Sequence, residues 1–204
     1  KFTFQPITNT LTPMHHHTLG QTNITIAPLA FGGNVFGWTI DEAMSFKLLT
    51  QFVDGGFNLI DTADVYSIWA QGHVGGESET IIGNWLKQTG RRSEVVIATK
   101  VGMDMKDNGK GLSRKHILAS VERSLNRLQT DYIDLYQAHK DDAETPLEES
   151  LEAFNELVKA GKVKAIGASN YSGKRLQQAL DISAANNWAR YETLQPHYNL
   201  YARE

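Results

Sequence analysis

The chain alternates between two hydrophobic rhythms. Short apolar runs at Pro28–Phe31, Phe57–Ile60, Val95–Thr99, Tyr132–Tyr136, Val163–Ile166 and Thr193–Gln195 read as strands. Between them, apolar residues recur at three- and four-residue spacing, as one buried helical face requires. The first helical stretch carries Ala43, Phe46, Leu48, Leu49, Phe52 and Val53, and the second carries Ile81, Ile82, Trp85 and Leu86. A third, from about Ser113 to Leu128, carries Ile117, Leu118, Val121, Leu125 and Leu128. Thr39–Glu42 and Thr145–Glu148 have capping-box spacing, in which a Thr hydroxyl and a Glu three residues on satisfy each other's free backbone N–H groups. Pro146 then takes the first helical position, where its missing N–H costs nothing. Gly55-Gly56 and Gly161 end the first and fourth helices.

The strands recur at intervals of roughly 33 residues, as strand–helix units do when each helix returns the chain to start the next parallel strand. Short strands without polar alternation are those buried on both faces, as in parallel sheets. A closed (β/α)8 barrel and an open doubly wound sheet both fit this pattern. The first-turn G-x-G-x-x-G of a dinucleotide-binding open sheet is absent, since Gly32-Gly33-Asn34-Val35-Phe36-Gly37 has the wrong spacing. Thr18 to Ala27, with turn signals at Gly20 and Thr22-Asn23, reads as a hairpin able to plug one end of a barrel. The expected class is therefore α/β, of the (β/α)8 TIM-barrel type, with about six of the eight βα units and an N-terminal β-hairpin. Residues 1–17 stand apart as an extension of unknown role, and 18–204 form the partial barrel domain. The extension alternates through Phe2, Phe4, Ile7 and Leu11 to Pro13, then reaches His15-His16-His17. Three adjacent side chains do not all converge on one ion, so no metal site is expected there.

Composition narrows the function classes. With 204 residues and 41% hydrophobic content, there is enough for one sizeable core. A net charge of −3 asks for neither nucleic acid nor an anionic membrane. The absence of cysteine removes disulfides, thiolate metal sites and a Cys nucleophile. No apolar run approaches the roughly 20 residues of a membrane span, and Lys1–Pro13 lacks a signal peptide's apolar stretch. The expectation is a cytoplasmic protein without nucleic-acid or membrane partners.

In barrels of this kind, chemistry gathers where the C-terminal ends of the strands meet. Those positions hold Asp61, Lys100, His139, Ser169-Asn170 and Gln195, with Tyr66 in the loop after Asp61. Any one of these is ordinary as a cap or a solvated loop residue; five successive strands ending this way are not. Tyrosine, with an unperturbed pKa near 10, is a reluctant acid. A neighbouring Lys100 cation is expected to lower it, with Asp61 holding the lysine charged. His139 is placed to orient a carbonyl. Ser169, Asn170 and Gln195 can grip a carboxamide, which both donates and accepts. Together they suit hydride reduction of a carbonyl, the hydride coming from a nicotinamide cofactor.

Several motifs carry a resemblance. Asp61-Thr-Ala-Asp-Val-Tyr66 with Gly76-Glu-Ser-Glu79, Ala98-Thr-Lys100-Val-Gly102, Asp131-Tyr-Ile-Asp-Leu-Tyr-Gln-Ala-His139 and Gly167-Ala-Ser-Asn170 together resemble the aldo-keto reductases, from about Thr18 to the end. The resemblance implies a (β/α)8 barrel that uses NADPH, or NADH, to reduce aldehydes and ketones without a metal. It implies a catalytic tetrad of Tyr66 as proton donor, Lys100, Asp61 and His139. Ser169, Asn170 and Gln195, with Asp61, would lie at the cofactor. The loop Ser67–Gly75 resembles the subgroup related to potassium-channel β subunits and bacterial general stress reductases. With Trp38 and Trp69 it would border the pocket for a small carbonyl substrate.

The resemblance also sets a contrast. The family has two further βα units beyond the sixth strand, where loops clamp the cofactor pyrophosphate and choose between NADPH and NADH, and this chain stops at Glu204. The expectation is a C-terminally truncated reductase, of doubtful activity by itself, with two open sheet edges that favour pairing with another chain. The alternating segment Lys1–Leu11 is a candidate cover for one edge. The alternative to a reductase is a nicotinamide-sensing regulatory or binding subunit. A Schiff-base lysine fits poorly, because an adjacent Asp61 raises rather than lowers the Lys100 pKa. Tyr171 and Lys174 are three apart, not the four a short-chain dehydrogenase needs.

Overall fold

The computed structural model describes residues 14–203. The alternating segment Lys1–Leu11 therefore lies outside the described residues. Strands β1 (His17–Thr18) and β2 (Thr25–Ile26) pair antiparallel as the predicted hairpin. Then come β3 (Ala30–Gly32), α1 (Glu42–Asp54), β4 (Leu59–Asp61), α2 (Glu77–Thr89), β5 (Val96–Val101) and α3 (Arg114–Leu128). The series continues with β6 (Ile133–Ala138), α4 (Leu147–Lys159), β7 (Val163–Ser169), α5 (Gly173–Asn186) and β8 (Tyr191–Gln195).

Strands β3 to β8 form one parallel sheet in strictly sequential order. A doubly wound sheet reverses its order at a switch point. No such reversal occurs among the described residues, and the curled sheet is that of a partial (β/α)8 barrel. No helix among the described residues is long and apolar enough to cross a membrane.

The outer face of the sheet packs under the helices. Leu49, Ile82, Trp85, Ile117, Val121 and Phe154 meet Ile60, Ile97, Tyr136 and Ile166 in one buried cluster. Each such fully buried apolar side chain contributes roughly 1.5–3 kcal/mol. Side chains on a strand alternate between faces, so Ala98, Leu135 and Ala165 point inward. There they receive Leu19 from the hairpin. The small side chains at 98 and 165 leave room for that leucine, which plugs the end of the barrel away from the strand C-termini. Asn58 ties the plug down, accepting from Ala27 N at 2.9 Å and donating to Thr25 O at 2.9 Å.

Two helix starts differ from the capping-box expectation. Helix α1 is capped by Asp41, whose Oδ1 accepts from Met44 N at 2.8 Å, because the Phe36–Ile40 bridge holds Thr39 in the preceding loop. Before α4, the Thr145 hydroxyl donates instead to Asp142 at 2.7 Å, leaving Pro146 as a cap with no side-chain bond. The hairpin also begins one residue earlier than expected, with His17 paired to Ile26.

Candidate active site

Asp61 closes β4, Lys100 lies one residue before the end of β5, and His139 follows β6 directly. Parallel register brings these ends together. Lys100 is almost fully buried, at 1% exposure. An ammonium has three hydrogens to donate, and here each has an acceptor: Asp61 Oδ2 at 2.7 Å, the Thr62 carbonyl at 2.8 Å and Tyr66 Oη at 2.9 Å. That complete set offsets the cost of burying the charge. The bond from Tyr66 Oη to Asp61 Oδ2 is long, at 3.4 Å. The phenol thus accepts a strong bond from Lys100 while its own proton has only a weak internal acceptor.

The expected lowering of the Tyr66 pKa is not what the surroundings produce. Burial pushes the phenol up from its ordinary value; Lys100 pulls it back in part, and Asp61 adds to the rise. Exclusion of water penalises the phenolate more than one lysine, already neutralised by Asp61, favours it. Tyr66 therefore rests as the protonated acid.

His139 stands edge-on to the Tyr66 ring, with centroids 5.9 Å apart and planes at 72°. Burial first, then the charges of Lys100 and Lys140, lower its pKa to about 3, so the imidazole is neutral at ordinary pH. Its Nδ1 is buried and has no hydrogen-bond partner among the described residues. The backbone is fixed from both sides: His139 N donates to Val101 O at 2.8 Å, and Asn170 Nδ2 donates to His139 O at 3.0 Å.

Ser169, Asn170 and Gln195 meet at the ends of β7 and β8. Ser169 Oγ donates to Gln195 O at 2.9 Å, and Asn170 N donates to the same carbonyl at 3.2 Å. Asn170, held in the left-handed region at φ 55°, spends both amide hydrogens internally, on His139 O and on Ser169 Oγ at 3.1 Å. What remains for a ligand is the Asn170 Oδ1 acceptor and the exposed Gln195 amide. One acceptor beside one exposed amide fits a carboxamide.

Trp38 and Trp69 are 50% and 48% exposed, too open for core packing. They meet edge to face at 5.5 Å, and Trp69 lies 6.3 Å from the Tyr66 ring. They form an aromatic rim beside the phenol.

Gln137 is an addition that strand-end reasoning misses. It is buried inside β6, opposite Lys100 and Gly167 in register, and its Nε2 reaches Gln195 Oε1 at 3.4 Å. Its signal in the sequence was a polar residue two positions before His139, hence on the same strand face. A Cβ at Gly167 would meet Thr193 Oγ1 at 2.2 Å and the Gln137 side chain at 3.2 Å, so glycine is required for this close approach.

A parallel barrel with a buried Lys–Asp pair against a tyrosine at its strand ends defines a class, and comparison with known proteins agrees. Residues 28–204 match the aldo/keto reductase family, and the chain belongs to it. It is similar to the aldo-keto reductase YhdN of Bacillus subtilis (strain 168), 40% identical over 185 residues, covering 90% of this chain and 52% of that protein. It is 39% identical to the uncharacterized oxidoreductase YrpG of the same organism, over 93% of this chain and 60% of the relative. The versiconal hemiacetal acetate reductase of Aspergillus parasiticus is 35% identical, over 94% of this chain and 61% of its own length. The chain thus spans between half and two thirds of these relatives.

Proposed function

We propose that this chain carries the acid–base site for reversible NAD(P)H-dependent reduction of an aldehyde or ketone to an alcohol, with NADPH, or NADH, as the cofactor. The observation that supports it best is the triangle in which Lys100 donates to both Asp61 and Tyr66 at 2.7 and 2.9 Å. Asn170 Oδ1 and the Gln195 amide would hold the nicotinamide carboxamide, with Ser169 fixing the Gln195 backbone beside them, and the bound dinucleotide would supply the hydride.

Every other step belongs to the chain's own residues. Neutral His139 orients the carbonyl by a ring N–H. As negative charge develops on the carbonyl oxygen, Tyr66 Oη gives up its proton to it. The phenolate left behind already accepts a bond from Lys100, so its charge is stabilised without reorganisation. Asp61 keeps Lys100 in place through its 2.7 Å bond. Trp38 and Trp69 receive the apolar body of the substrate and shield the reacting atoms from water.

The test is NADPH consumption with a panel of small aldehydes and ketones, with Tyr66→Phe as the blank. Turnover that vanishes in the variant supports the reading, and turnover that survives there overturns it.

A further inference from the structure

Directly behind the tetrad, on the outer side of the strands, lies a second polar cluster that the chemistry above does not use. Glu79 of α2 is fully buried, its Oε1 accepting from Thr99 Oγ1 at 2.6 Å and its Oε2 from Arg127 Nε of α3 at 2.7 Å. Thr99 immediately precedes Lys100. Arg127 reaches Glu79 by passing over Gly76, where a Cβ would meet the guanidinium Nε at 2.4 Å. Asp64 lies between Asp61 and Tyr66, is 2% exposed, and leaves its Oδ1 without a partner among the described residues. Its backbone N donates to Lys100 O at 3.2 Å. Tyr136 of β6, also fully buried, has a hydroxyl without a partner among the described residues, close to the same groups.

We propose that Asp64, Glu79 and Arg127 are positioning residues, a buried brace that fixes the Asp61–Tyr66 loop against Lys100 and holds it firmly only while Asp64 is protonated. Two guanidinium groups lie near, but Arg127 is paired with Glu79 and Arg123 donates to Asn108 O and Ser120 Oγ. Asp64 therefore has no ion pair of its own among the described residues, and burial favours its neutral form. Ionised, Asp64 would add an unpaired buried charge three residues from Asp61 and two from Tyr66, which the loop can relieve only by shifting. The groups facing Asp64 are Glu79 of α2, Arg127 and Arg123 of α3, and Tyr136 of β6. Burial first and the Glu79 charge second, opposed by the two arginines, push the Asp64 carboxyl up to about 8. The change therefore falls within reach of experiment and below the elevated Tyr66.

The inference rests on the reading of Tyr66 as the acid, but its test does not require turnover. The chain is labelled with 13Cζ-tyrosine, and the Tyr66 resonance is assigned by its loss in Tyr66→Phe. Between pH 6.5 and 9.5 that resonance should move in one step near pH 8. The step should be absent in Asp64→Asn, which mimics the neutral carboxyl, and displaced to lower pH in Glu79→Gln. Where turnover is measurable, kcat should fall across the same step in the parent and stay flat in Asp64→Asn, with KM unchanged. A step that persists in Asp64→Asn, or a parent resonance that does not move, overturns the proposal. A chain that never turns over but shows the step would sink the proposed activity and leave the brace standing.

Discussion

Lys100 is the donor in its 2.9 Å bond to Tyr66, which leaves the phenolic proton aimed away from the lysine with a weak acceptor at 3.4 Å. A phenylalanine at 66 keeps the ring beside His139 and Trp69 but has no proton to give. Tyr66→Phe should cut carbonyl reduction by about 10²–10⁴-fold, the usual worth of a positioned general acid. NADPH binding, followed by tryptophan fluorescence, should change little. Near-normal turnover in this variant would remove Tyr66 from the acid role.

The same lysine has a structural cost attached to its removal. In Lys100→Met, Asp61 is left as a buried charge without its cation, and the Thr62 carbonyl loses its donor. Breaking a buried pair from one side costs about 3–5 kcal/mol. Lys100→Met should therefore unfold at markedly lower urea concentration. Lys100→Met combined with Asp61→Asn should recover part of that loss, because the stranded charge is gone. Additive losses in the double variant would mean that the pair is not coupled as its geometry requires.

The strand ends were legible in the sequence because each buried apolar run stops at a polar residue, and sequential parallel order brings those stops together. Helix starts were less so. Several nearby side chains compete for the same polar groups: Asp41 takes the cap of α1 in place of Thr39, and Asp142 draws off the Thr145 hydroxyl so that α4 starts with no side-chain cap. The direction of the Tyr66 pKa was missed for a different reason. Sequence position indicates which charges come near a group, not how much water is kept from it. Gln137 escaped notice because it lies within a strand rather than at its end. The brace of Asp64, Glu79 and Arg127 joins residues 48 apart across two helices, a juxtaposition that exists only once the barrel has curled.

Helices α2 and α3 approach each other through Gly83, where an added Cβ would lie 2.1 Å from the Arg127 carbonyl oxygen and 2.9 Å from Leu128 Cα. Both neighbours are backbone, so neither can swing aside as a flexible side chain would. Gly83→Ala should gain helix propensity in α2 yet lose more through overpacking, for a net destabilisation of about 1–3 kcal/mol. Separating α2 from α3 also pulls Glu79 from Arg127, so the Tyr66 resonance should shift in this variant as well. Thermal unfolding gives the first quantity. An unchanged or raised Tm would mean that the helices do not meet as closely as their backbones indicate.

His139 should leave a mark on stability as a function of pH. Its folded pKa, lowered to about 3 by burial and by Lys100 and Lys140, lies below the ordinary 6.5. Above pH 6.5 the ring is neutral in both folded and unfolded chains, and its full contribution is present. Between 6.5 and 3 the unfolded chain takes up a proton that the folded chain refuses, so stability falls as pH falls. The slope is at most about 1.4 kcal/mol per pH unit for a fully buried group, and less here because the ring is only partly buried. Asp64 acts with the opposite sign: its raised value favours the folded state at low pH and loses that advantage as pH climbs from 3.8 toward 8. The two effects overlap between pH 4 and 6.5, so each has to be read as a difference against its own variant. Urea denaturation of the parent and His139→Asn from pH 4 to 8 should show the parent losing stability relative to the variant as pH drops below 6.5. Parallel curves would show that the imidazole protonates as readily in the folded chain as in the unfolded one, and would remove the neutral histidine from the carbonyl-orienting role.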